Sequence, residues 1–73
     1  MPDMQKWEYL FVGTGAANNK VVPYTLNGKP IKNWKSNKPI YEYIQWLGEQ
    51  GWELVSFTQL LTNQIYTFKR PKE

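Results

Sequence analysis

The chain has 73 residues, of which 41% are hydrophobic and 16% aromatic, and it carries a net charge of +3. It contains four tryptophans but no cysteine and no histidine. Disulfide bonds are therefore excluded, and so are the usual structural zinc sites. A single domain of this length buries only about 60% of the surface that its unfolded chain exposes. Its stability must come from aromatic and aliphatic packing or from self-association, and we expect neither a metal nor a cofactor.

The beginning of the sequence and its apolar runs bear on location. The first residues lack the basic-then-apolar pattern of a signal peptide, and no apolar run approaches the roughly 20 residues that span a bilayer. We therefore expect a cytoplasmic protein without a membrane partner. Residues 1–73 form one domain in this interpretation, with frayed ends at 1–5 and 72–73.

The first half of the chain has the composition of strands. Residues 6–12 are rich in aromatic and β-branched types and predict a strand, whereas the small, polar residues 13–19 predict a loop. A second strand is expected over residues 20–26, where Pro23 indicates an edge position or a bulge. Asn27-Gly28 is a strong hairpin signal and predicts a third strand over residues 29–34.

One helix is expected next, beginning near Pro39 with Ser36 or Asn37 as its cap. Its apolar stripe has the spacing i, i+3, i+4, i+7 and consists of Ile40, Tyr43, Ile44 and Leu47. Gly51 ends it as a left-handed cap. A helix of about a dozen residues is too short to persist alone, so it must pack on a sheet.

Two further strands are expected over residues 52–58 and 64–70, joined by a turn over residues 59–63. The order of elements is then β-β-β-α-β-β. This order predicts an α+β fold with a five-stranded antiparallel sheet in the order 3-2-1-5-4 and the helix across one face.

Three patches of the sequence resemble a small bacterial family, the domain of unknown function 4177. They are Trp7-Glu8-Tyr9, the segment from Leu47 to Val55 with Gly51-Trp52-Glu53-Leu54 at its centre, and residues 66–71, Tyr-Thr-Phe-Lys-Arg-Pro. The resemblance covers about half of the chain and leaves out residues 13–38. It implies the same strand, helix and strand arrangement, and it implies no activity.

Catalysis is not expected. The commonest general base, histidine, and the strongest nucleophile, cysteine, are both absent. Glu8 and Glu53 are the two carboxylates on strands, and the predicted order places the last strand between them. Gly13-Thr14-Gly15 lacks the third glycine and the following helix of a dinucleotide-binding motif, so a flexible loop is the better interpretation.

The segment Gly51-Trp52-Glu53-Leu54 has a structural and a functional interpretation. In the structural one, which we favour, Gly51 reverses the chain and Trp52 fills the junction between helix and sheet. Glu53 then points the other way, toward a basic residue of a neighbouring strand. In the functional one, Trp52 is a platform for a ligand.

A basic segment offers one alternative function. Lys29, Lys32, Lys35 and Lys38 recur at every third position around Trp34, with no acid between Glu8 and Glu42. Lysines beside an exposed aromatic ring are typical of single-stranded nucleic acid binding. The plainer interpretation is a solvated loop whose lysines prevent aggregation at a sheet edge. A small-molecule binder with an aromatic pocket is a third possibility.

Self-association is the function that the pattern favours. Trp46 falls about 120° from the centre of the helical stripe, where a monomer core does not explain it. Trp7, Tyr9 and Phe11 share one face of the first strand, opposite Leu10 and Val12. One short helix can cover only one apolar face, so the other predicts an interface, most simply with a second copy of the chain.

Overall fold

The computed structural model describes residues 4–61 and 63–72, and these residues form five strands and one α-helix. The elements are β1 (Trp7–Ala17), β2 (Lys20–Leu26), β3 (Lys29–Pro30), a 3₁₀ turn (Trp34–Ser36), α1 (Ile40–Glu49), β4 (Glu53–Gln59) and β5 (Gln64–Pro71). The sheet is antiparallel with the order β3-β2-β1-β5-β4. The α+β class and the strand order predicted from the sequence are therefore confirmed.

The first hairpin corrects one prediction. Residues 13–17 belong to β1 and do not form a loop, and the chain turns at Asn18 and Asn19, which both have positive φ angles. Gly13 and Gly15 lie where side chains of other elements pack closely against β1. A Cβ on Gly13 would collide with the hydroxyl of Thr25, and one on Gly15 would lie 2.8 Å from the ring of Trp34. The two glycines therefore mark contacts across the sheet.

The second hairpin turns at Asn27-Gly28 as predicted, with φ angles of 52° and 84°. The Asn27 side chain also accepts a hydrogen bond from the Phe11 backbone, 3.0 Å away. The expected bulge lies in β2 beside Pro23, where the β1–β2 register shifts. The predicted third strand is wrong beyond Pro30. The Ile31 N–H still donates to the Tyr24 carbonyl at 2.7 Å, but Asn33, with a φ of 59°, then turns the chain into the 3₁₀ turn.

The ends of α1 have different kinds of cap. Pro39 stands at the N-terminal cap position and no side chain caps the helix, so the prediction of a Ser36 or Asn37 cap is wrong. At the other end Gly51 has a φ of +92°, as expected. The Trp52 N–H donates to the Leu47 carbonyl at 3.0 Å, and the Gly51 N–H donates to the Gly48 carbonyl at 3.1 Å. This is a Schellman motif, which turns the chain directly into β4.

The core lies between α1 and the middle of the sheet. Its buried residues are Val12, Ile40, Leu47 and Phe68, from β1, both ends of the helix and β5. Half-buried side chains surround them, among them Leu10 and Tyr43. The helical stripe predicted from the sequence therefore faces the sheet.

Tyr43 gives this packing a pH dependence. Burial raises the pKa of the Tyr43 hydroxyl above its ordinary value of 10.0. The stability that neutral Tyr43 contributes is thus fully present below that value and is lost as the pH rises through the folded-state pKa. We expect the free energy of unfolding, measured with urea between about pH 9 and about pH 11, to fall with pH. Tyr43→Phe should make the free energy of unfolding fall less steeply with pH. Tyr41→Phe, at an exposed position, should leave the slope unchanged. Equal slopes in the two variants would contradict the assignment of this pH dependence to Tyr43.

The ends of the chain differ in part from the prediction of fraying. Residues 1–3 and 73 lie outside the described part of the chain. Lys72, expected to be frayed, donates its backbone N–H to the Lys6 carbonyl at 2.8 Å. Among the described residues, no helix has both the length and the apolar character needed to cross a membrane.

Candidate interaction surface

The two faces of β1 have different environments. Leu10 and Val12 lie on the face that α1 covers, and Val12 is fully buried. Trp7, Tyr9 and Phe11 lie on the opposite face and are 38%, 51% and 47% exposed. Alternation along the strand therefore leaves three aromatic rings in a row facing solvent, as the sequence predicted.

The neighbouring strand β5 widens this row into a surface. Lys69, Thr67 and Ile65 stand directly opposite Tyr9, Phe11 and Gly13 in the β1–β5 register, and directly opposed residues lie on the same face. The Lys69 ammonium lies 4.2 Å from the centroid of the Trp7 ring, close enough for a cation–π interaction. We call the surface formed by these residues the open face, and we define it by Trp7, Tyr9, Phe11, Ile65, Thr67 and Lys69.

Trp34 closes one end of the open face. Its ring lies over Gly15 and against Tyr24, with the two ring centroids 4.4 Å apart. Because Gly15 has the same parity along β1 as Phe11, this contact is on the side opposite α1. Trp34 is less exposed than the sequence predicted, because it is half-buried as a cover for the β1–β2 hairpin, and its role as an interaction residue stays a prediction.

The four lysines of the basic segment are exposed, as expected. Lys35 lies 5.8 Å from the centroid of the Trp34 ring, and Lys38 lies 5.8 Å from that of Trp46. Lys29 lies on the edge strand β3 and Lys32 in the connection that follows it. Since Trp34 packs against the sheet, less of its ring is open for base stacking than the nucleic acid interpretation assumes.

Trp46 remains a surface residue of α1. It is 42% exposed, and its ring contacts Tyr43 with a centroid distance of 5.5 Å. The prediction that Trp46 lies outside the core is confirmed. The contact with Tyr43 links it to the edge of the helix–sheet interface.

The segment Gly51-Trp52-Glu53-Leu54 has a structural role. Trp52 is half-buried against the core, and the Arg70 guanidinium stacks over its ring at 4.2 Å. Arg70 also donates to the Gln50 carbonyl at 3.1 Å and pairs with Glu8 at 2.8 Å. The end of the helix is thereby tied to β1 and β5. This role of Arg70 is not evident from the sequence, where the only signal is its position on the closing strand.

Glu53 and Leu54 lie at the start of β4. Glu53 is exposed and stands opposite Lys69 in the register, but the two do not form an ion pair. The one ion pair among the described residues joins Glu8 and Arg70. Leu54 is 42% exposed and lines an open groove of about 350 Å³ between α1 and β4. Ile44, Trp52 and Phe68 also line this groove.

The carboxylates do not converge on one site. Strand β5 separates β1, which carries Glu8, from β4, which carries Glu53, as the predicted order required. Within the described residues, no three or more aspartate or glutamate side chains come together as metal ligands would.

Comparisons with family models, with curated proteins and with solved structures found no match to this chain. The resemblance to the domain of unknown function 4177 therefore stays a prediction.

Proposed function

We propose that this chain is a cytoplasmic, non-enzymatic interaction module of the domain of unknown function 4177 family, and that it self-associates through its open face. The observation that carries the proposal is the row of Trp7, Tyr9 and Phe11, of which 38–51% of the surface remains exposed in the folded chain. Aromatic residues are enriched at protein interfaces because they bury a large area at a small cost in conformational entropy.

The total surface of the chain sets the scale of a contact between two copies. A stable interface buries roughly 800 Å² from each partner. The described chain has 5565 Å² of accessible surface, so such an interface would use about a seventh of it. A two-fold axis through the open face would bring the same aromatic row from each copy together, and a single positive charge, that of Lys69, lies within it.

Self-association can be tested by substituting one ring of the open face. We expect light scattering coupled to size exclusion to give a mass above the 8.7 kDa of one chain, rising with protein concentration. Tyr9→Lys should disrupt the open-face contact and lower the measured mass at the same concentration, because it places an unpaired charge in the centre of that contact. Tyr9 is half-exposed, so the substitution leaves the monomer core intact.

Tyr41→Lys is the matched control, because Tyr41 is 66% exposed on α1 and the substitution makes the same change of side chain and charge. The control should associate as the unsubstituted chain does. Self-association would be refuted if the unsubstituted chain remained a folded monomer at every concentration. An oligomer that Tyr9→Lys leaves unchanged would refute the open face as its contact.

Two other functions have weaker support. The exposed lysines of residues 29–38 are the observation that favours single-stranded nucleic acid, and the packed position of Trp34 counts against it. The groove between α1 and β4 is the observation that favours a small molecule, and its exposure to solvent counts against it.

A further inference from the structure

The two edges of the sheet are protected to different degrees. On one edge β3 has only two residues, Lys29 and Pro30, and lysine, proline and shortness all discourage further strand pairing. On the other edge β4 has seven residues, and every one of them is exposed. From Leu54 to Leu61 the chain has no charged residue and no proline. Within the described residues, β4 pairs with β5 alone, so its outer backbone groups are open to a partner strand.

A bulge limits the part of β4 that can pair regularly. The β4–β5 register shifts between Leu54 and Ser56, which leaves Val55 as the extra residue. Beyond the bulge, residues 56–59 pair with β5 in unbroken register. A partner strand would therefore pair with this regular part, which centres on Phe57 and Thr58.

We propose that β4 pairs with β4 of a second copy, antiparallel, with the two-fold axis at Phe57. This contact is separate from the open face and rests on the proposed function only in that the partner is another copy of the chain. The single charge of the strand, at Glu53, supports the antiparallel direction. Antiparallel pairing places the two Glu53 carboxylates at opposite ends, whereas parallel pairing would set them side by side.

The side chains around Phe57 fix the position of the axis. Phe57 is 49% exposed and already contacts Tyr66 of β5, with the ring centroids 5.0 Å apart. An axis at Phe57 places the two Phe57 rings directly opposite each other and makes one row of four aromatic rings across the joined sheets. It also pairs Ser56 with Thr58 on the other face, where both hydroxyls can hydrogen-bond. An axis at Ser56 or Thr58 would instead set Phe57 opposite Val55 or Gln59.

Single cysteines test the contact without interference, because the chain has none of its own. A residue on the axis faces its own copy with a Cα separation of about 4.5–5.5 Å, within the range that a disulfide bond bridges. A residue one position away is separated from its own copy by about 8 Å, which is too far. The variants are Phe57→Cys, Ser56→Cys and Thr58→Cys, with Tyr41→Cys as an exposed control on α1.

After mild oxidation we expect Phe57→Cys to give a cross-linked dimer in several-fold higher yield than Ser56→Cys, Thr58→Cys or the control. An equal mixture of Ser56→Cys and Thr58→Cys should cross-link several-fold better than either variant alone. Highest yield at residue 56 or 58, or a Phe57→Cys yield no higher than the control, would overturn the proposal.

The same measurements in a Tyr9→Lys background separate this contact from the open face. Cross-linking of Phe57→Cys should persist there, because residue 57 lies on the edge strand and Tyr9 on β1. Loss of the cross-link together with the open-face oligomer would overturn an independent edge contact. In the chain that keeps Tyr9, failure of the Phe57→Cys cross-link while the open-face oligomer forms would overturn the edge contact and leave the proposed function intact.

Discussion

Replacing Phe68 by alanine should remove most of the stability of the folded chain at room temperature. Phe68 is 1% exposed and stands on β5 between Leu10 of β1 and Leu54 of β4. A Phe→Ala change at a buried position costs about 3–5 kcal/mol, since it removes apolar contact and leaves a cavity. Small domains have free energies of unfolding at the low end of about 5–15 kcal/mol. The expected loss is therefore most of the stability available.

Urea unfolding followed by tryptophan fluorescence measures this effect. Phe11→Ala is the matched control, because it makes the same chemical change on the open face, where Phe11 is 47% exposed. At a concentration where the chain is monomeric, the control should lower the midpoint far less. If Phe68→Ala does not fold at all, Phe68→Leu supplies a graded measurement. A midpoint for Phe68→Ala no lower than that of Phe11→Ala would show that Phe68 is not the centre of the core.

The strand order could be predicted because local signals fixed the ends of most elements. Asn27-Gly28 accepts the positive φ angles of its turn, and Gly51 accepts that of the Schellman motif. Once the helix was placed between the third and fourth strands, few antiparallel orders remained.

The long β1 could not be predicted, because its glycines are explained by residues distant in sequence. Gly13 is required by Thr25 and Gly15 by Trp34, and neither contact has a local signature. Asn18-Asn19 was the informative turn signal within the same segment. For the same reason the sequence predicts an exposed Trp34. Its partner Tyr24 lies ten positions earlier in the chain, and this contact has no local signature either.

The position of the candidate surface could be predicted from the sequence, but its extent could not. Alternation along β1 placed Trp7, Tyr9 and Phe11 together, because side chains of a strand point alternately to its two faces. The end of the open face could not be located, since this depends on where Trp34 packs. The exposed edge at β4 required the strand order, which shows that β4 lies outside β5.

The core of this chain is small, because many of its aromatic side chains contact solvent instead. The buried hydrophobic residues of the described chain are few, namely Val12, Val22, Ile40, Leu47 and Phe68. A core of this size gives limited stability. Binding of a second copy to the folded state alone would increase this stability by mass action. Self-association through the open face, as proposed, would therefore also stabilise the fold.

A hydroxyl group inside the sheet gives the second large expected effect. Thr14 is 2% exposed, and its hydroxyl accepts from the Gln64 backbone N–H at 3.0 Å and donates to the Gln64 carbonyl at 3.2 Å. These bonds continue the β1–β5 connection beyond Gly13 and Ile65, where the backbone register ends. Thr14 thereby holds the start of β5 against β1.

Thr14→Val keeps the shape of the side chain and removes both bonds. We expect a loss of about 1–3 kcal/mol in the free energy of unfolding, because the half-buried N–H and carbonyl of Gln64 lose their partner. Urea unfolding measures the loss, and amide hydrogen exchange at Gln64 should become faster. Thr67→Val makes the same chemical change on the open face and should be nearly neutral. Equal effects of the two substitutions would show that methyl packing, rather than the hydroxyl, gives Thr14 its role.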